Sequence, residues 1–376
     1  MRNPDTNDSQ KKGMTNPRVD QFVHTLQYGD AISGEALTLR RVFSEMGYRS
    51  NIYSVNTHEK LAKIPLPYSS YAPPEKEEAA LTILHYSIAS PLNSIFENIS
   101  TGKRAIIYHN LTPVSWYENY NARVANDLVR GIEELPLLLK KCDMIIADSE
   151  FNKKELLKFG AEKVHVLPLT LDPDRWPKRE NPGIVAALKN HSGGTGKNIL
   201  HVGRFAPNKC IEDIIRAFYF YHHKFEQNSR LWLVGSDTDT EIYSFELKKL
   251  ARELRLNDAV NFVGSVSDDE LMAFFMASDA YICMSEHEGF CVPIIEALNF
   301  SLPVIAFSSS AIPETLGDGG ILLEEKNPLK TAAVLHSLIS DISIKNDLLE
   351  KGKKQLEKFS LPVFIENINN TLLPLL

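Results

Sequence analysis

The chain of 376 residues predicts an α/β protein built as two doubly wound parallel-sheet domains facing each other across a cleft. Its length exceeds what one hydrophobic core usually organises. Short apolar runs alternate with amphipathic helical patterns along nearly all of it. That alternation dissolves once, between Thr170 and Lys197, into the Pro, Asp, Asn and Gly of a connection between domains. The expected division is a disordered tail over 1–17, a first Rossmann-like domain over 18–175, a linker over 176–197, a second Rossmann-like domain over 198–358 and a C-terminal helical segment over 359–376.

Composition narrows the function. Apolar content of 43% and charged content of 24% are ordinary for a soluble globular protein. A net charge of −7 and a pI near 5.9 argue against a nucleic-acid partner. The four cysteines form no C-x-x-C pair, which favours reduced thiols and the cytoplasm. Residues 1 to 18 are polar and lack the apolar centre of a signal peptide, and no apolar run approaches the ~18 residues of a membrane span. A cytoplasmic protein is expected, with room for peripheral contact at the inner membrane face; oligomeric state is left open.

In chain order, the first strand pattern is Phe22 to Leu26, followed by a glycine turn and a helix from Glu35 to Met46. Gly29 in that turn either lets the backbone approach a diphosphate or serves an ordinary tight turn; the spacing is not G-x-G-x-x-G. Asn51 to Val55 is the next strand, and a Pro-rich loop of polyproline II character covers 64 to 74. Strands follow at Leu81 to His85, Ala105 to Tyr108, Met144 to Ala147 and Val164 to Leu167. A helix over Asn121 to Lys141 should be kinked or split at Pro136. His109 stands directly after a strand, where ligands of such sheets gather. Asp148-Ser149 reads as an N-cap for the next helix.

The glycine-rich run 193–197 fails as a P-loop, because Asn198 follows the lysine and the strand comes after it. The second set opens with Ile199 to Gly203, then Arg204 and Lys209 before a helix from Ile211 to Phe225. These place two cations at a strand end and a helix entrance, suited to a diphosphate. Asp237-x-Asp239 imitates a metal-binding pair but is better explained by capping the following helix, whose apolar side should be Ile242, Phe245, Leu250 and Leu254. No metal ligand set is assigned: His222-His223 diverge on their helix, and His287-Glu288 lacks the second His of H-E-x-x-H.

The organising stretch is Cys283 to Leu298. An apolar strand enters a short loop containing Gly289, and Pro293 sits in the first turn of a helix, where its missing N–H costs nothing. The N–H groups of Phe290, Cys291 and Val292 and the helix dipole would hold a phosphate. Glu288 and Glu296 flank that point, and carboxylates there suit hydroxyls. Phosphate between two polyhydroxyl groups describes a nucleotide sugar. Ser308 to Ser310, ahead of another helix, reads by default as a cap.

With these residues in hand, the chain resembles the retaining glycosyltransferases of family 4, whose two facing Rossmann-like domains form the GT-B fold. The resemblance rests on S-E-H-E-G-F-C-V-P-I-I-E-A-L and on V-G-R-x4-K, and extends from 19 to 376 with its stronger part in the second half. It implies that Glu288 contacts the donor hexose, that Glu296 contacts the ribose hydroxyls, and that Arg204 and Lys209 grip the donor diphosphate. It also places His109 near the sixth carbon of the donor sugar, Ser265 to Ser267 near the base, and the last helix back against the first domain. A donor-binding second domain and an acceptor-side first domain follow.

The implied reaction moves a hexosyl group, with retention, from a UDP- or GDP-linked sugar to a glycan, lipid-linked or other hydroxyl acceptor. It needs no metal or other cofactor, since Arg204, Lys209 and the helix dipole can hold the leaving phosphate's charge. The competing readings are a non-catalytic nucleotide-sugar-binding protein, a phosphorylase of the same fold with a pyridoxal-phosphate lysine, and a glycoside hydrolase, which would not need the Arg-Lys pair.

Overall fold

The computed structural model describes residues 17–75, 80–177, 181–190 and 196–376. Almost all of the tail expected over 1–17, and residues 193–195 of the glycine-rich run, lie outside the described residues.

The first half is a seven-stranded parallel sheet of order β3-β2-β1-β4-β5-β6-β7. Its strands are β1 (Arg18–Leu26), β2 (Arg49–Thr57), β3 (Leu66–Pro67), β4 (Ala80–Tyr86), β5 (Lys103–Tyr108), β6 (Met144–Ala147) and β7 (His165–Val166). Helices α1 (Ala31–Glu45), α2 (Pro91–Glu97), α3 (Ala122–Leu139) and α4 (Glu150–Lys158) connect them. Every residue of β4 is buried, as a parallel strand covered on both faces requires.

Helix α5 (Pro182–Lys189) precedes the second half, a six-stranded parallel sheet of order β10-β9-β8-β11-β12-β13. Its strands are β8 (Asn198–Val202), β9 (Arg230–Val234), β10 (Val260–Gly264), β11 (Ala280–Cys283), β12 (Val304–Phe307) and β13 (Gly320–Leu323). Its helices are α6 (Ile211–Lys224), α7 (Glu241–Glu253), α8 (Asp268–Ala277), α9 (Val292–Asn299), α10 (Ile312–Leu316), α11 (Pro328–Ser340) and α12 (Ile342–Glu357). Helix α13 (Leu361–Thr371) returns to the first sheet, where Phe364, Ile368 and Leu372 pack with Val19, Leu39, Phe43 and Ile107.

Each sheet reverses its strand order once, between β1 and β4 and between β8 and β11. A doubly wound sheet opens a crevice at the carboxyl ends of its strands at that point, because the connections on either side leave for opposite faces. The turn holding Gly29 follows β1, the Arg204 to Lys209 segment follows β8, and the Glu288 loop follows β11. Topology therefore gathers the candidate segments at two facing edges.

Five local expectations are corrected. Helix α3 runs unsplit through Pro136, with Leu135, Leu138 and Leu139 buried on either side of it; the proline forgoes its own N–H bond to the preceding turn, and the packing of these leucines holds the helix together. Thr240, not an aspartate, precedes α7 and makes no side-chain cap bond; Asp239 instead accepts from Arg123 at 2.7 Å, and Asp237 lies 3.8 Å from Lys248. The buried side of α7 is Tyr243, Ser244, Leu247 and Ala251, leaving Ile242 and Phe245 exposed. The expected linker contains a helix, α5, started by the Asn181 side chain and Pro182. The Pro-rich loop of 64 to 74 carries the two-residue strand β3 and a 3-10 turn. Among the described residues, no helix is long and apolar enough to cross a membrane.

Candidate active site

After β8 the chain makes a 3-10 turn over Pro207–Lys209, and Cys210 takes a left-handed conformation before α6. After β11 it loops through Glu288, and Cys291, with φ 75°, turns it into α9 with Pro293 in the first turn. These two turns bring Lys209 and Glu288 together. The Lys209 ammonium donates to both carboxylate oxygens of Glu288, at 2.6 and 2.7 Å. Glu288 is 7% exposed and the Lys209 side chain 21%. Burial pulls the lysine's pKa down, but the carboxylate and its hydrogen bonds outweigh it and hold the group above its ordinary value.

The start of α9 lies beside this pair. Within the described residues the N–H groups of Phe290, Cys291 and Val292 form no hydrogen bond, the condition of a helix N-terminus that can take an anion. Phe290 and Cys291 are buried and Val292 half-buried, with the Phe290 ring edge-on to Phe359 at 5.2 Å. Arg204 is exposed and donates to the Thr238 carbonyl at 3.4 Å, away from the ion pair.

Glu296, one turn into α9, is 2% exposed and is bound by Arg175 from the segment between the domains. Arg175 also lies 3.5 Å from Asp268, and its guanidinium stacks over Trp176 at 4.8 Å. Burial raises the Glu296 carboxyl's pKa and Arg175 opposes that shift. Alongside this arginine a crevice of about 670 Å³ opens between the two halves, lined by Tyr28, Arg175, Trp176, Ser267 and Asp268 among others. The opening thus lies on the Glu296 side, while the helix start itself is largely covered.

The first half contributes a buried relay. His109 Nδ1 meets Asp148 at 2.9 Å, and its Nε2 meets His85 Nδ1 at 2.9 Å and Glu35 at 3.4 Å. His85 Nε2 in turn meets Gln21 Oε1 at 2.9 Å. Burial lowers the His109 pKa, but the charges of Asp148 and Glu35 outweigh it and lift the imidazole to about 9. Burial pushes Glu35 up to about 8 against the pull of His109. Two carboxylates and two imidazoles share so little water that the cluster must hold protons to limit its net charge.

Gly289 joins the halves. A Cβ there would stand 2.8 Å from the His109 carbonyl and 2.9 Å from both Asn110 and Asn152, so only glycine lets the loop lie against the end of β5. His287 reaches Asn110 at 2.5 Å, and Glu314 accepts the N–H groups of Glu150 and Phe151 at the start of α4. Gly29 is exposed with φ 77°, a turn conformation that favours glycine, and nothing lies within 4 Å of where its Cβ would be.

The structure therefore brings together Lys209, Glu288, Gly289 and His109, sets Glu296 against Arg175, and leaves Arg204 and Gly29 at the rim. Sequence reasoning missed four participants. Asp148 reads as a cap, yet Ser149 alone caps α4 and Asp148 holds His109. His85 is visible as the last residue of a strand pattern beside the one ending at 108. Arg175 is hidden in a linker composition, and Glu35 gives no signal beyond being a helix residue that turns out buried.

A family model for glycosyl transferases group 1 matches residues 188–355. An uncharacterized glycosyltransferase of Haemophilus influenzae is 26% identical over 367 residues, covering 93% of this chain and 98% of that protein. Sucrose-phosphate synthase from Thermosynechococcus elongatus superposes with a TM-score of 0.73 at 16% identity, covering 94% of this chain and 98% of its own. Anabaena HepE, solved with UDP-glucose, gives a TM-score of 0.73 at 16% identity, covering 95% and 99%. The two structures show the fold, which is GT-B. The family model matches most of the second half of this chain and the relative is similar along nearly all of it, and both are glycosyltransferases.

Proposed function

We propose that the protein is a retaining, metal-independent hexosyltransferase that takes its sugar from a UDP- or GDP-linked donor and delivers it to a hydroxyl of a glycan or lipid-linked acceptor. The observation that carries this reading is the Lys209–Glu288 pair beside the uncommitted N–H groups that open α9. A donor diphosphate would take Lys209 and those N–H groups, and a hexose hydroxyl would take Glu288. Each charge changes partner without being left bare, so the exchange avoids the cost of an unpaired buried ion. Arg204, exposed at the rim, would close on the phosphates from solvent.

The chemistry is charge control. As the glycosyl–phosphate bond breaks, negative charge grows on the leaving nucleoside diphosphate and positive charge on the anomeric carbon. Lys209, Arg204 and the helix dipole meet the first, and Glu288 orients the sugar bearing the second. His109 shapes the opposite wall through its backbone contact with Gly289, with its ring held by Asp148 and His85. Glu296 would reach ribose hydroxyls once Arg175 shifts along the crevice that holds Tyr28 and Ser267.

The test is incubation of the purified protein with a panel of UDP- and GDP-sugars and hydroxyl acceptors in EDTA, reading nucleoside diphosphate release and the anomeric configuration of the product by NMR. Release with a retained anomer is expected. Inversion would remove the stereochemical assignment, and donor binding without release would select a non-catalytic binder.

A further inference from the structure

Beside the Lys209–Glu288 pair lie two thiols that the transfer reaction does not use. Cys283 ends β11 and Cys291 opens α9; both are buried, and their sulfurs are 3.9 Å apart. The Cys283 sulfur also meets the Ser285 hydroxyl at 3.3 Å, which fixes its direction. The two sulfurs and a Glu288 carboxylate oxygen all lie within 4.8 Å of one another. We propose that Cys283, Cys291 and Glu288 form a site for one thiophilic divalent cation such as Zn²⁺, and that filling it takes Glu288 from Lys209.

Geometry and charge both favour this. With Zn–S bonds of about 2.3 Å at a tetrahedral angle, two ligating sulfurs stand about 3.8 Å apart. The observed separation therefore needs almost no backbone movement, and thiolates select soft cations. Before binding, two thiols, one carboxylate and one ammonium sum to zero. Binding forms two metal–sulfur bonds and one metal–oxygen bond and releases two protons to solvent; two thiolates, a carboxylate, the ammonium and the divalent ion again sum to zero. The buried region exchanges one divalent ion for two protons without acquiring net charge. The partly exposed Lys209 marks the way in, and three protein ligands leave a fourth coordination position for water. The inhibitory consequence rests on the proposed donor site; the binding does not.

The probe is Co²⁺ added to the reduced full-length protein, since cobalt bound by thiolates in tetrahedral geometry gains sulfur charge-transfer absorption. One ion per chain, release of two protons per ion and bleaching by Zn²⁺ are expected. The sulfur band should be lost in Cys283→Ser and Cys291→Ser and kept in Cys142→Ser and Cys210→Ser. Absence of a sulfur band in the unaltered protein, its survival in both Cys283→Ser and Cys291→Ser, or its loss in Cys210→Ser would overturn the site. Should either serine variant fail to fold, the proton count and the Cys210→Ser spectrum decide the question. Zn²⁺ should also suppress nucleotide release reversibly with EDTA. Metal binding that leaves release untouched would overturn the displacement of Glu288, and a protein with no transferase activity would still be judged by its cobalt spectrum.

Discussion

Replacing Lys209 by Met removes the ammonium and leaves Glu288, 7% exposed, with no counter-charge. Breaking a fully buried pair costs about 3–5 kcal/mol, and the 21% exposure of the Lys209 side chain lets water recover part of that, so about 2–3 kcal/mol is expected. Glu288→Gln strands the ammonium and should cost a similar amount. The double variant has no charge to strand, so its loss should resemble that of one single variant and give a coupling of about 2–3 kcal/mol. Urea unfolding of all four proteins, read as midpoint shifts at constant slope, measures the cycle. Single-variant losses that add to within about 0.5 kcal/mol would refute the pairing. Both singles should remain folded, since domains carry about 5–15 kcal/mol of stability, while nucleotide release by Lys209→Met should fall about 10²–10³-fold.

Gly289→Ala should cost about 1–3 kcal/mol and depress turnover, because the new methyl group meets the His109 carbonyl and two asparagines on the opposing half; unchanged urea midpoints and rates would remove that contact from the account. Turnover should survive EDTA; complete loss restored by Mn²⁺ would return Asp237 and Asp239 to consideration as metal ligands. Stability should fall as pH rises from the ordinary values of these two groups, 4.5 and 6.5, to their folded values of about 8 and about 9. The folded-state pKa values of Glu35, about 8, and His109, about 9, both exceed their ordinary values of 4.5 and 6.5. The unfolded chain therefore loses these protons first, and the stabilisation present at low pH is gone once both groups have titrated. Melting temperature against pH should show this decline and flatten in Glu35→Gln; an equal slope in the variant would contradict it.

The two-sheet architecture was legible because parallel strands buried on both faces must be apolar, which makes runs such as Leu81 to His85 and Ala105 to Tyr108 visible without context. Lys209, Glu288 and Gly289 were legible because a helix start, its proline and its flanking charges are local in sequence. The relay around His109 was not, since Glu35, His85 and Asp148 come from three separate strand-to-helix units and meet only when the sheet forms. Arg175 was lost for a related reason: a linker composition carries no periodicity, and only the folded chain sets this arginine against Glu296. Helix α7 shows the limit of counting apolar residues, because Tyr243 and Leu247 face the core while Ile242 and Phe245 stand outside.

The central claim is that a nucleoside diphosphate binds against the start of α9 with Lys209 closing on its phosphates. Calorimetric titration of UDP and GDP into the wild-type protein and Lys209→Ala, in EDTA, tests it most directly. One of the two nucleotides should bind with one-to-one stoichiometry, and the variant should bind it about tenfold or more weakly, as expected for loss of a charge-assisted contact of about 1.5–3 kcal/mol. Absence of binding by either nucleotide, or equal affinity in the variant, would contradict it.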